Sequence, residues 1–330
     1  MAERSPLAKV GVVVIGRNEG PRLRNCLESI GSATCGVVYV DSASTDGSAA
    51  LARESGVSVI ELDMSIPFTA ARARNAGFRH LRENVARIDH VQFVDADCEL
   101  VQGWLRKAAA FLDANERVAA VCGRLREKHP ELSVYNLLCD LEWDAPPGQA
   151  KACGGIAMLR AAAFESARGY RADLIAGEEP ELCVRLRAAG WTIWRLGDEM
   201  AAHDAAMFRF GQWWKRALRA GYAFAQGVDL HGAPPERHGV RESRSAWFWG
   251  LGIPLAVLLL TPWLGAWALL LLAAYPLQIV RLALRGKYSP RANWWRAGFM
   301  VLGKFAELAG QVRFALNRVL GRQARLIEYK

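Results

Sequence analysis

Val91-Gln92-Phe93-Val94-Asp95-Ala96-Asp97 is the stretch that decides how this chain is read. Four apolar-rich residues form a strand pattern and two acids follow at i and i+2. In extended backbone those two positions point the same way. Two converging carboxylates make a hard oxygen site for a divalent cation. Such a cation can hold a diphosphate, whose oxygens match it in hardness and charge. Two acids after a strand also compose an ordinary solvated loop, so the flanking sequence has to decide.

Upstream, Val10 to Ile15 is a continuous β-branched apolar run, the pattern of a strand buried on both faces of a parallel sheet. Arg17 to Pro21 breaks it, and Leu23, Leu27 and Ile30 share one face of a short helix. Val37 to Val40 is a second strand, ending at Asp41. Ser44 to Ser48 supplies turn and N-cap chemistry for a helix over 49–55, and Val57 to Leu62 is a third strand. The alternation predicts βαβ units and a mostly parallel sheet flanked by helices. Ala70 to Leu81 reads as a helix carrying Arg72, Arg74 and Asn75. Downstream, 100–112 reads as a helix, 118–122 and 156–159 as strands, 179–189 as a helix and 191–195 as a late strand. The sheet domain closes near His203.

Charge divides the chain. Residues 205–330 carry 18 Lys+Arg against 5 Asp+Glu, and residues 1–204 carry 24 against 28, within a total of +9. A basic C-terminal part suits nucleic acid or an anionic membrane surface. From Ser245 to Val280 there is no Asp, Glu, Lys or Arg, which favours the membrane and makes nucleic acid a poor partner. One span needs about 20 residues, so this run is long for one and short for two. Thr261-Pro262-Trp263 near its middle predicts a hairpin of helices over 246–260 and 264–280, spanning or re-entrant. Basic residues flank both ends, which puts both on the cytoplasmic side. Residues 205–244 read as an interfacial helix and linker, and 281–330 as a basic amphipathic helix.

The seven cysteines include no C-x-x-C pair, and the segment Met1 to Lys9 is short and polar. This predicts reduced thiols in a cytoplasmic domain, each packed as a small hydrophobe, and no zinc site. No G-x-G-x-x-G follows the first strand, so the dinucleotide fingerprint is absent.

Five stretches taken in order resemble the inverting glycosyltransferase family 2, with its GT-A fold: VGVVVIGRNE at 10–19, YVDSASTDGS at 39–48, ARNAG at 73–77, FVDADCEL at 93–100 and AGEEPELCVRLRAAGW at 176–191. The resemblance covers residues 9–204, and it implies a GT-A catalytic domain over 1–204 with a membrane-associated helical region behind it. It further implies a nucleotide-diphosphate sugar donor, with Gly16, Asn18 and Glu19 lining the nucleotide pocket and Asp41 at the base or ribose. Arg74 would help hold the nucleotide. Asp95 would face ribose and metal, and Asp97 would ligate Mg²⁺ or Mn²⁺, with His203 near the metal or satisfied in the core. Glu178-Glu179 matches the family's acidic doublet, usually Glu-Asp, and the second acid, Glu179, takes the place of the base. Taken without the resemblance, the doublet also suits a helix N-terminus through the macrodipole.

Gln212-Trp213-Trp214-Lys215-Arg216-Ala217 does not fit the Q-x-x-R-W motif of the family's processive synthases. The resulting expectation is a metal-dependent hexosyltransferase at the inner membrane, adding one sugar to a lipid-linked acceptor in envelope or exopolysaccharide assembly. Transfer directly to polyprenyl phosphate and a non-catalytic scaffold are the competing readings.

Overall fold

The computed structural model describes residues 6–32 and 34–322, so residues 323–330 of the expected C-terminal helix lie outside it. Two compact units emerge. The first comprises 1–128, 142–174 and 178–205, and the second 129–141, 175–177 and 206–330. The second unit thus also takes two short segments from within the span read as the catalytic domain.

The first unit is built on one nine-stranded sheet. Its elements are β1 (Val10–Gly16), α1 (Pro21–Ile30), β2 (Gly36–Asp41), α2 (Ser48–Glu54), β3 (Ser58–Glu61), α3 (Ala70–Asn84), β4 (His90–Asp95), β5 (Cys98–Leu100), α4 (Trp104–Ala114) and β6 (Val118–Glu127). There follow α5 (Val134–Trp143), which runs from the second unit into the first, then β7 (Gly148–Ala150), β8 (Ala157–Arg160), α6 (Ala161–Ser166), α7 (Glu178–Ala188) and β9 (Thr192–His203). The order is β3-β2-β1-β4-β8-β6-β9-β5, with β7 also on β9.

β1 to β4 pair in parallel, which the β-branched, largely buried sequences of β1, β2 and β4 favour, while β3 is a partly exposed edge. The far half is mixed. β8 runs antiparallel to β4 and β6, and β5 and β7 antiparallel to β9, while β6 and β9 are parallel. The helix expected over 100–112 starts only at Trp104, because Cys98–Leu100 is drawn into pairing with Ala201–His203. Val10, Val12, Val13, Val14, Val38, Val40, Val91, Phe93 and Val94 are fully buried in the core.

Parallel pairing brings the carboxyl ends of three strands side by side, with Gly16 opposite Asp41 and Ile15 opposite Asp95. In an open α/β sheet this is where ligands bind.

The second unit is helical: α8 (Phe210–His231), α9 (Val240–Trp247), α10 (Ile253–Leu264), α11 (Ala274–Leu284) and α12 (Pro290–Val319). A π-helical turn, Phe248–Gly252, joins α9 to α10, and a nine-residue 3₁₀ segment, Gly265–Ala273, joins α10 to α11. Val240–Leu284 is long and apolar enough to cross a membrane. It is not one straight rod, because the Tyr275 hydroxyl donates to the Trp249 carbonyl at 2.6 Å. Along a straight helix those residues would stand about 39 Å apart. The chain reverses at Leu264–Gly265, where Gly265 has φ +54°. The turn falls after, not at, Thr261-Pro262-Trp263. Pro262 sits within α10, and the Thr261 carbonyl accepts from the Gly265 N–H. Leu258, Leu259, Trp263, Trp267 and Leu270 are exposed on this hairpin.

Candidate active site

Asp95 is the last residue of β4, and the chain turns at Ala96-Asp97 before β5. The two acids therefore do not share the extended backbone that their spacing suggested, and each has its own partners. Asp95 Oδ1 accepts from Arg74 Nη2 at 2.8 Å, and Arg74 Nη1 donates to Glu178 Oε1 at 2.6 Å. The guanidinium is buried, 3% exposed, and lies 5.7 Å above the Tyr170 ring. Burial opposes its charge, but Asp95 and then Glu178 overcome that, and the net shift is upward. Arg74 was expected to reach the nucleotide; here its two Nη groups are directed at carboxylates from β4 and α7. Burial also pushes the Tyr170 phenol up.

Asp97 belongs to a second chain of contacts. His203, at the end of β9, places Nε2 3.3 Å from Asp97 Oδ2 and Nδ1 3.6 Å from Glu127 Oε2. Glu127 in turn accepts from the Ala205 backbone N–H at 3.1 Å. The edge of Trp143 packs on the imidazole, with centroids 4.8 Å apart. A carboxylate stands behind one imidazole nitrogen, at 3.6 Å beyond hydrogen-bond distance, and the other nitrogen faces Asp97, an order of groups like that around metal-ligating histidines. Donor atoms of Asp97, Cys98 and His203 lie within 4.8 Å of one another. A carboxylate and an imidazole suit a hard or borderline divalent cation.

Glu179 does not share the surroundings of its neighbour. Its Oε1 accepts from the Cys153 backbone N–H at 2.6 Å, from Cys153 Sγ at 3.0 Å and from Cys183 Sγ at 2.9 Å. Among the described residues it makes no ion pair, whereas Glu178 is committed to Arg74. The contact with Cys183, and then burial, holds the Cys153 thiol well up; for Cys183 that contact acts downward, but burial and the Glu179 charge carry it up to about 11.

The loops after β1 and β2 are stitched together. Asp41 accepts from the Ser44 N–H at 2.8 Å and from the Tyr39 hydroxyl at 3.0 Å. The Asn18 N–H donates to Ser44 Oγ at 2.9 Å, and Asn18 Oδ1 accepts from the Thr45 N–H at 2.7 Å. The Glu19 N–H donates to Ser48 Oγ at 3.2 Å, and its carboxylate pairs with Arg22 at 2.7 Å. Gly16 closes β1, and a Cβ there would stand 2.6 Å from the Ala96 Cβ. Its missing side chain lets the end of β1 pack against the Asp95–Asp97 turn.

Glu127, Trp143, Cys153, Tyr170 and Gly155 escape the sequence reading, because they join the site only through β6–β9 pairing and the loops around β7 and β8. A Cβ on Gly155 would meet Arg74 Nη2 at 2.7 Å. Gly155→Ala is expected to displace the guanidinium from Asp95 and Glu178, lowering transfer by about tenfold or more and costing part of the stability that the ion network supplies. Steady-state kinetics beside thermal unfolding check this.

A mixed sheet with carboxylates and a histidine gathered at its strand ends is the architecture of the GT-A fold. Residues 11–148 match the family model of glycosyl transferase family 2, so that span is a glycosyltransferase domain of this type. It resembles the mannosyltransferase PcManGT from Pyrobaculum calidifontis, solved with GDP-Man and Mn²⁺, over 95% of this chain and 87% of that one, at TM-score 0.56 and 22% identity. It also resembles residues 1–349 of S. aureus TarS, over 93% and 92% of the two chains, at TM-score 0.52 and 14% identity. At these identities the likeness establishes the fold and not the substrate. No curated protein sequence matches the chain.

Proposed function

We propose that this chain moves one hexosyl unit, with inversion, from a nucleotide-diphosphate sugar to a lipid-linked acceptor at the cytoplasmic face of the inner membrane. The observation that carries the reading is the pairing of Asp97 with His203, braced by Glu127, one turn from the Asp95–Arg74–Glu178 ion chain. The GDP-Man and Mn²⁺ of PcManGT support such a donor. Asp97 and His203, with Asp95, would hold Mg²⁺ or Mn²⁺, which supplies neutralisation of charge on the departing diphosphate.

Gly16, Asn18, Glu19 and Asp41 form the nucleotide side, on the two stitched loops. Arg74 positions Asp95 and Glu178. The second oxygen of Glu179 takes the proton from the acceptor hydroxyl, since Oε1 is already occupied by three donors. The acceptor oxygen then bonds to the anomeric carbon, and the diphosphate leaves from the opposite face.

The hairpin supports a membrane location. Arg244 to Leu264 runs about 30 Å along helix, and Gly265 to Arg281, partly in the longer-rise 3₁₀ form, covers a similar length. That matches the hydrocarbon core, with the basic flanks on one side. Residues 205–244 and 281–322 line the interface beside it.

The burial of Glu179, 4% exposed, favours a second reading, in which the acceptor is polyprenyl phosphate. A phosphate anion needs no base. Radiolabelled nucleotide sugars are incubated with membranes containing the protein, and the organic-phase product is treated with mild acid. Acid release of a labelled oligosaccharide, or label that stays with the lipid, supports the first reading, and acid release of the labelled monosaccharide alone the second. No protein-dependent label in the organic phase contradicts both.

A further inference from the structure

Cys153 and Cys183 are thirty residues apart, on a loop and on α7, yet their sulfurs lie 3.8 Å from each other. Both face the same oxygen, Glu179 Oε1, at 3.0 and 2.9 Å. All three side chains are buried. The absence of any C-x-x-C spacing predicted no zinc site, but the fold supplies in space what the sequence lacks in spacing.

The three separations, 3.8, 3.0 and 2.9 Å, enclose a point about 2.3 Å from each sulfur and about 2.0 Å from the oxygen. Those are ordinary zinc–ligand distances. The sulfur–metal–sulfur angle at that point is about 110° and the two sulfur–metal–oxygen angles are about 85–90°, a distorted version of the tetrahedral arrangement zinc adopts. Two sulfurs and one carboxylate select a thiophilic cation over Mg²⁺ or Mn²⁺. This set is distinct from the Asp97–Cys98–His203 group, which offers one sulfur and an imidazole. Gly154, next to Cys153, is exposed, so the loop that carries Cys153 lies at the surface.

We propose that Cys153, Cys183 and Glu179 form a second cation site, one that takes a single Zn²⁺ and thereby withdraws Glu179 from the reaction. Binding forms two metal–sulfur bonds and one metal–oxygen bond, and the two thiol protons leave to solvent. Occupancy of the site stands on these distances alone; its inhibitory consequence rests on Glu179 being the base.

The test uses full-length protein in detergent, with Mn²⁺ in excess to fill any harder site and one equivalent of Zn²⁺. Zinc-edge X-ray absorption on the wild type should give a shell of two sulfurs near 2.3 Å with oxygen or nitrogen near 2.0 Å. One sulfur, or none, overturns the site. Replacing Zn²⁺ by Co²⁺ should give a sulfur-to-metal charge-transfer band that persists in Asp97→Asn and is lost in Cys153→Ser/Cys183→Ser. A band that survives the double substitution also overturns it. The wild-type spectrum decides the question if the double variant does not fold. If Zn²⁺ shows two sulfurs but leaves transfer unaffected, the site holds, and the assignment of Glu179 as base fails instead.

Discussion

Asp97→Asn is expected to lower sugar transfer by at least about a hundredfold, or ~3 kcal/mol of transition-state stabilisation, with little change in melting temperature. The carboxylate sits 3.3 Å from His203 Nε2 at a strand end, so its charge serves the site and not the core. The amide keeps the shape and removes the charge that a cation would require. Glu127→Gln acts one step further back. It removes the charge that faces His203 Nδ1 at 3.6 Å and should cost about ten- to a hundredfold, part of it recovered at higher Mn²⁺ concentration. Metal-concentration series on the three proteins separate these cases. Equal activity of wild type and Asp97→Asn at all Mn²⁺ concentrations contradicts the assignment.

The largest effect on stability is expected at Arg74. Arg74→Ala leaves Asp95 and Glu178 without the cation that both address at 2.8 and 2.6 Å. Removing one partner from a buried ion network typically costs about 3–5 kcal/mol. Urea unfolding should show that loss, and transfer should fall with it. Arg74→Lys keeps the charge but not the fork that reaches two carboxylates at once, so it should lie between wild type and alanine. Adding Glu178→Gln to Arg74→Ala removes one unpaired acid and should restore part of the stability. A coupling of that sign in the double-mutant cycle distinguishes charge from lost packing against Tyr170.

The residues that could be read in advance owe their role to local sequence. β1 and β4 announce themselves because a strand buried on both faces is a run of Val, Ile and Phe. Asp41, Asp95 and Asp97 stand at strand ends, where such runs stop. What escaped depends on pairing across the sheet. His203 meets Glu127 because β9 is long enough to run beside all of β6, and only its first half shows an apolar pattern. The Glu178-Glu179 doublet reads as one feature in sequence. Consecutive residues at a helix start diverge, however, and one turns to Arg74 while the other turns to two thiols. The hairpin was legible from its missing charges. Its turn position was not, since Pro262 lies within α10 and the reversal waits for Gly265, whose positive φ suits glycine.

The most direct test of the donor site is thermal stabilisation of the purified full-length protein by UDP, GDP, dTDP and CMP, each with and without Mn²⁺. One nucleoside diphosphate should raise the melting temperature only when Mn²⁺ is present, and the shift should vanish in Asp97→Asn. No stabilisation of folded wild-type protein by any of them, with or without metal, would contradict a metal-assisted nucleotide-sugar site at Asp95, Asp97 and His203.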